Sequence, residues 1–259
     1  MSRAQATRGT QASAEVLLEA REVTVRFGGL VAVNEVSASF RAGELVGIIG
    51  PNGAGKTTFF NALSGVTPPT GGTLIVQGED LTGARPHRFA HHGIARTFQT
   101  PRVFAELTVA ENIDFGLQFA GRGRSAPALL ADEASILGLI GLSAQATLPA
   151  AAITPSQQRL LEVGMALATR PRLLLLDEVA AGLTEAEVEN MAKLIRRLRD
   201  ELQLTVIWIE HAVTTLMRYV ERVLVLHQGR RIADGTPEEV VRNPEVIEAY
   251  LGDEMADAA

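Results

Sequence analysis

The stretch ELVGIIGPNGAGKTTFFNALSG, residues 44–65, decides the fold. Its opening ELVGIIG (44–50) is a short apolar run ending in glycine and reads as a buried strand, while KTTFFNALSG (56–65) has helical spacing with glycine after its last turn. Between them GPNGAGKT (50–57) satisfies G-x-x-x-x-G-K-[ST] in full, in the strand, loop and helix order that a phosphate cradle needs. Gly50, Gly53 and Gly55 let backbone N–H groups crowd round phosphate oxygens at a helix N-terminus, whose dipole favours anions. Pro51, Asn52 and Ala54 fill the variable places of the nucleotide-binding stretch, and Thr58 closes it. Lys56 supplies a point charge to β- and γ-phosphates, and the Thr57 hydroxyl suits Mg2+.

On either side of this stretch the chain alternates between strand and helix patterns. Val16 to Val25 and Val31 to Phe40 roughly alternate apolar and polar residues, as antiparallel strands joined at Gly28-Gly29 do. GTLIVQG (72–78) is another strand, and the next strong strand signal is RLLLLDE (172–178). In the interval VAENIDFGLQFAG and ALLADEASILGLIGL read as helices separated by GRGRSAP, so residues 85–165 are expected to form an inserted helical subdomain. Beyond it come a charged-faced helix EAEVENMAKLIRRLRDEL, a strand TVIWIE, and a hairpin RVLVLHQGRRIADG turning at Gln228-Gly229. The expected fold class is α/β: one core with a β-rich edge and a helical insertion over residues 15–252, between a disordered tail at 1–14 and a short tail at 253–259.

Composition limits what such a core can do. With 24 Lys and Arg against 30 Asp and Glu, a net charge of −6 and no basic tract, a dedicated nucleic-acid surface is not expected. The absence of cysteine removes disulfide frameworks and thiolate metal sites and fits a reducing cytosol. The N-terminus MSRAQATRGTQASAE lacks the apolar segment of a secretory signal. The longest uncharged run, Ala134 to Gln158, is broken by Gln145, Pro149, Thr154 and Pro155, too often for a spanning helix.

Several further residues carry candidate chemistry. LLLLDE (173–178) is a buried parallel strand ending in two carboxylates, and such strands deliver ligands at their carboxyl ends. Asp177 is placed to hold Mg2+ through water and Glu178 to polarise the water that attacks a γ-phosphate. TVIWIEH (205–211) repeats the pattern and leaves Glu210 and His211 at a third strand end; His211 reads as structural or as an imidazole facing the γ-phosphate. Gln99, after the strand-like GIART, is structural or part of the site. Phe27 is a core residue or an aromatic face for adenine.

Taken together, Phe27, GPNGAGKTT, Gln99, an xSxGQ-like helix start, LLLLDE and His211 occur in the order found in the nucleotide-binding subunits of ABC transporters, which the chain resembles over residues 16–252. RTFQTPRVFAELTVAEN, SQQRLLEVGMALATRPRLLLLDE, AAGL and GTPEEVVRNPEVIEAYLG are most similar to the ATPase subunits of branched-chain amino acid importers. The resemblance implies a P-loop NTPase core with a RecA-like mixed sheet, an antiparallel β subdomain and an α-helical subdomain. It implies ATP and Mg2+ as ligands: Phe27 stacked on adenine, Lys56 and Thr57 on phosphate and metal, and Gln99 at the metal and linked to the permease. Glu178 would be the catalytic base and His211 the γ-phosphate contact. It also implies a location on the cytoplasmic face of the cell membrane. The implied partners are transmembrane permease subunits, a periplasmic solute-binding protein, and a second ATPase subunit whose signature helix completes each ATP site.

One segment departs from that pattern. ITPSQ (153–157) stands where the family has an LSGGQ-like signature, with Ser156 in place of the fourth glycine, whose absent side chain lets backbone N–H groups approach a partner's γ-phosphate. The Ser156 side chain must crowd that phosphate or rotate away. Thr154 as N-cap, Pro155 at N1 and Gln157 at N3 nevertheless form a capping-box pattern, so the helix end and its attraction for anions survive. Val179 replaces the proline that usually follows the glutamate, and Thr184 stands where AAGL usually continues with Asn or Asp. These changes suggest a weak composite site on ITPSQ and a non-identical ATPase partner. The alternatives are a nucleotide-dependent regulatory module with slow hydrolysis and the ATPase of a lipopolysaccharide-type export system.

Overall fold

A computed structural model describes residues 15–120, 127–210 and 213–257. Two long strands, β1 (Val16–Phe27) and β2 (Leu30–Arg41), pair antiparallel about the Gly28-Gly29 turn. They are followed by β3 (Leu45–Ile49), α1 (Lys56–Leu63), β4 (Gly71–Val76), β5 (Glu79–Asp80), α2 (Pro86–His91) and β6 (Ile94–Arg96). The helical segment contains α3 (Val109–Gln118), α4 (Glu133–Ile140) and α5 (Pro155–Ala168), with short 3-10 turns between them. The chain then returns to the core through β7 (Leu173–Asp177), α6 (Glu185–Leu202), β8 (Thr205–Ile209), α7 (Val213–Tyr219), β9 (Arg222–His227) and β10 (Arg230–Gly235). It finishes with α8 (Pro237–Val240) and α9 (Pro244–Asp257).

The strands form two sheets, a four-stranded antiparallel one in the order β2-β1-β4-β5 and a six-stranded one in the order β10-β9-β3-β8-β7-β6. Within the larger sheet β9, β3, β8, β7 and β6 run parallel and only β10 is antiparallel. The five-residue runs of β3, β7 and β8 are buried along their whole length. A strand covered on both faces has no polar face to keep, which explains the unbroken leucines of β7.

Alternate residues of these strands feed opposite cores, because side chains in a strand point in turn to the two faces. Val46, Ile48, Leu173, Leu175, Ile207 and Ile209 pack with Phe59 and Phe60 of α1 against the antiparallel sheet. Leu45, Leu174, Leu176, Val206 and Trp208 pack on the other side against α5, α6 and α7. The parallel sheet is therefore the middle layer, and its carboxyl ends emerge along one edge.

Two expected boundaries move. β6 pairs with β7 in the main sheet, so the helical subdomain begins after Arg96 and not at 85. The strand-like GIART is a strand over Ile94–Arg96, and pairing with β7 places it in the main sheet. The last helix α9 runs to Asp257 through most of the stretch expected as a tail.

Candidate functional site

The turn from β3 into α1 is held by its own glycines. Gly50 has φ 151° and Gly55 φ 93°, and a Cβ there would lie 2.0 Å from the Leu226 carbonyl oxygen and 2.3 Å from that of Ala32. Gly53 (φ 74°) has open space on its side-chain face. Two glycines thus answer to neighbouring backbone and the third to the backbone twist. Asn34 donates to the Gly229 carbonyl at 2.8 Å and Gly229 to that of Ala54 at 3.0 Å, so the β9–β10 turn is strapped to the loop. Lys56 Nζ donates to the Gly50 and Pro51 carbonyls at 2.6 and 2.9 Å, which keeps the ammonium inside the curl of the loop.

An open cleft of ≈ 690 Å3 extends from this loop and is lined among others by Phe27, Lys56, Thr57, Thr58, Glu178 and Gln228. Phe27 is 53% exposed at its mouth, which overturns the core-packing reading of that residue and leaves its ring face available. Gln228 and Gly229 join the cleft only through folding; in sequence they are a hairpin turn and nothing more.

The carboxyl end of β7 supplies the acids. Asp177 is buried, its Oδ2 lies 3.3 Å from Arg96 Nη2, and its Oδ1 has no hydrogen-bond partner among the described residues. Burial raises its pKa against the pull of Arg96. Arg96 also donates to Asn61 Oδ1 of α1 and to Ser64 Oγ at its C-cap, at 2.8 and 2.9 Å, fixing the strand end to the helix that carries Lys56. An orphaned, buried carboxylate oxygen is costly unless something meets it, and a hydrated cation would. No three His, Asp or Glu side chains cluster among the described residues, so a metal here depends on phosphate and water for most of its ligands. That donor set fits Mg2+.

Glu178 follows in the left-handed region (φ 49°), a strained place for a side chain with a Cβ. Its amide donates to the Ile209 carbonyl at 3.0 Å, and its Oε2 accepts from Gln99 Nε2 at 2.8 Å. The fold thus joins Gln99 and Glu178 across the ends of β6 and β7. Glu210 is buried and accepts from Trp208 Nε1 (3.1 Å) and the Ala180 amide (2.7 Å), anchoring the loop that follows Glu178. His211 lies outside the described residues.

Thr154, Ser156 and Gln157 do not line this cleft. They open α5 as the sequence suggests: Thr154 accepts from the Gln157 amide at 3.2 Å, the Gln157 side chain accepts from the Thr154 amide at 3.0 Å, and Pro155 is the first helical residue. Ser156 Oγ sits 3.0 Å from Thr154 Oγ1, and Glu187 lines the same small cleft beside it. The hydroxymethyl group is turned into its own chain. Thr184 N-caps α6 in a capping box with Glu187, the residue that lines the cleft beside Ser156. Val179 is buried in the core.

Two residues of α5 escaped the sequence reading. Arg159 Nη1 donates to the carbonyls of Gln99 (3.3 Å) and Glu178 (3.0 Å). Glu162, a buried acid, accepts from the amides of Phe98 at 3.3 Å and Arg102 at 2.9 Å, and burial pushes its pKa up to about 7. Its signal was a lone carboxylate within the apolar run LLEVGMALA.

Comparisons with known proteins agree with this geometry. A match to the family described as ABC transporter covers residues 33–181, and one described as branched-chain amino acid ATP-binding cassette transporter covers 230–256. The chain is 41% identical over 250 residues to the high-affinity branched-chain amino acid transport ATP-binding protein BraF of Pseudomonas aeruginosa, covering 92% of this chain and 98% of that one. It is 40% identical to LivG of Escherichia coli, a protein of the same description, with the same coverage. Among solved structures, the ADP conformation of an ATP-binding cassette of an ABC transporter superposes with a TM-score of 0.81 at 29% identity, over 92% of this chain and 99% of the other. A nucleotide-free cassette gives 0.80 at 28% identity, over 91% and 98%. The phosphate loop, the acids at the end of β7 and the relatives lead to one conclusion: the chain belongs to the ATP-binding cassette family of ABC transporters.

Proposed function

We infer that the chain is the ATP-hydrolysing subunit of an importer of branched-chain or related amino acids, bound to permease subunits at the cytoplasmic membrane face and fed by a periplasmic solute-binding protein. The observation that carries the hydrolytic reading is the 2.8 Å hydrogen bond from Gln99 to Glu178, which lines the cleft that also holds Lys56. Phe27 offers its ring to adenine, and the loop amides with Lys56 take the phosphate charge. Gln99 holds the Glu178 carboxylate at the end of β7, where it would accept the proton of an attacking water. Mg2+, held by Thr57, Gln99 and, through water, Asp177, would neutralise charge on the β- and γ-phosphates.

The amino acid class rests on the described C-terminal match at 230–256 and on the two relatives. Permease docking is supported by an apolar groove where Phe104, Phe115 and Phe119 remain 43%, 38% and 66% exposed, next to Phe98 and the Gln99 loop. A non-identical ATPase partner is supported by ITPSQ, whose Ser156 replaces backbone space with a side chain. The test is steady-state hydrolysis of ATP by the purified chain at concentrations that drive self-association. Wild type should turn over, Glu178→Gln should lose at least about 100-fold, and Ser156→Gly should gain. Equal rates for wild type and Glu178→Gln would refute the catalytic assignment; equal rates for wild type and Ser156→Gly would refute the weakened signature.

A further inference from the structure

Helix α5 begins with the altered signature, yet four and seven residues beyond Pro155 it grips the opposite end of the machinery. Residues three apart share a helix face. Arg159 and Glu162 are such a pair, and both reach the segment Phe98–Arg102. Glu162 accepts from the amides at its two ends, and Arg159 donates to the Gln99 carbonyl in its middle. The same Arg159 nitrogen also donates to the Glu178 carbonyl at 3.0 Å. Gln99 and Glu178 are therefore joined twice: their side chains bond each other directly, and their carbonyls meet at one guanidinium.

This geometry addresses the strained backbone at Glu178. A non-glycine residue at φ 49° costs free energy unless its surroundings fix it. Its amide is fixed by Ile209 of β8 and its carbonyl by Arg159. Among the described residues, the contacts that aim the carboxylate include one to the sheet, one to the Gln99 loop and one to α5. The last belongs to an element that starts at the signature.

We propose that Arg159 is a positioning residue, which links the N-terminal turn of α5 to Glu178 and Gln99 so that displacement of the signature end re-aims the carboxylate. The idea rests on the ATPase reading above only for its effect on turnover; the linkage itself is a property of the fold. A planar, doubly donating group suits two carbonyls, and lysine can replace it in part as a point donor.

The experiment compares wild type, Arg159→Lys and Arg159→Met as full-length chains, by amide hydrogen exchange and by ATP hydrolysis with a parallel measurement of nucleotide Kd. Arg159→Met should speed exchange in 98–102 and 178–182 at least fivefold while the middle of α6 stays unchanged. It should also lower kcat at least tenfold, with the Kd for ATP, set by the phosphate loop, within about twofold of wild type. Arg159→Lys should recover at least a third of the lost kcat. Unchanged exchange in both segments overturns the proposal, as does a loss spread evenly over kcat, Kd and the exchange of α6. If wild type does not hydrolyse ATP at all, the ATPase reading falls, and the exchange pattern still decides the linkage.

Discussion

Glu162 makes the chain's stability depend on pH in an unusual direction. The carboxyl sits in the interface between α5 and the Phe98–Arg102 segment, and burial moves its pKa from 4.5 to about 7 despite two backbone amides and the nearby Arg159 and Arg102. In the unfolded chain it ionises near its ordinary value, so between about pH 4.5 and 7 the folded state binds the extra proton. Stability from this group is complete below the unfolded pKa and is lost as pH rises through the folded one. Worked through the linkage relation, the loss between pH 5 and pH 8 is about 2.5 kcal/mol, a large share of a typical domain's net stability. Glu162→Gln keeps an acceptor for the Arg102 amide and cannot ionise, so it isolates the effect. Urea unfolding of both proteins across that range should find wild type losing about 2.5 kcal/mol relative to the variant as pH rises. Parallel pH profiles, within about 0.5 kcal/mol, would refute the reasoning, since a solvent-exposed or fully paired Glu162 has no such slope.

Three other perturbations follow from contacts in and behind the cleft. Gly55→Ala puts a Cβ 2.3 Å from the Ala32 carbonyl oxygen at φ 93°; strain and crowding together should cost about 3 kcal/mol in urea unfolding and abolish nucleotide binding, and a normally stable, nucleotide-binding variant would contradict the loop geometry. Phe27→Ala removes an exposed ring at the cleft mouth, and fluorescence titration should find ATP binding weaker by about 1–3 kcal/mol, roughly 5- to 150-fold, with thermal stability unchanged; unaltered affinity would remove Phe27 from the adenine site. Trp208→Phe deletes the indole donor to buried Glu210 and should cost about 1–3 kcal/mol in chemical unfolding, whereas a neutral result would mean that the carboxylate is satisfied without the indole.

Much of this protein was legible without coordinates, because its decisive features are local. GPNGAGKT specifies a phosphate turn within eight residues; the alternation of Val16–Phe40 and the leucine run of β7 specify strands by period and by uniform burial; Thr154, Pro155 and Gln157 specify a helix start from cap chemistry within one turn. What tertiary structure alone decided is every relation across long sequence separation. β6 joined the main sheet by pairing with β7, Gln99 and Glu178 stand 79 positions apart, and Arg159 meets Gln99 across 60. Ser156 illustrates the division best. Sequence posed a choice between crowding a phosphate and rotating away, and the tertiary structure set Ser156 Oγ 3.0 Å from Thr154 Oγ1 in a small cleft that Glu187 of α6 helps to line. A rotamer depends on which distant groups the fold brings within hydrogen-bond reach, and no local pattern of residues encodes that distance.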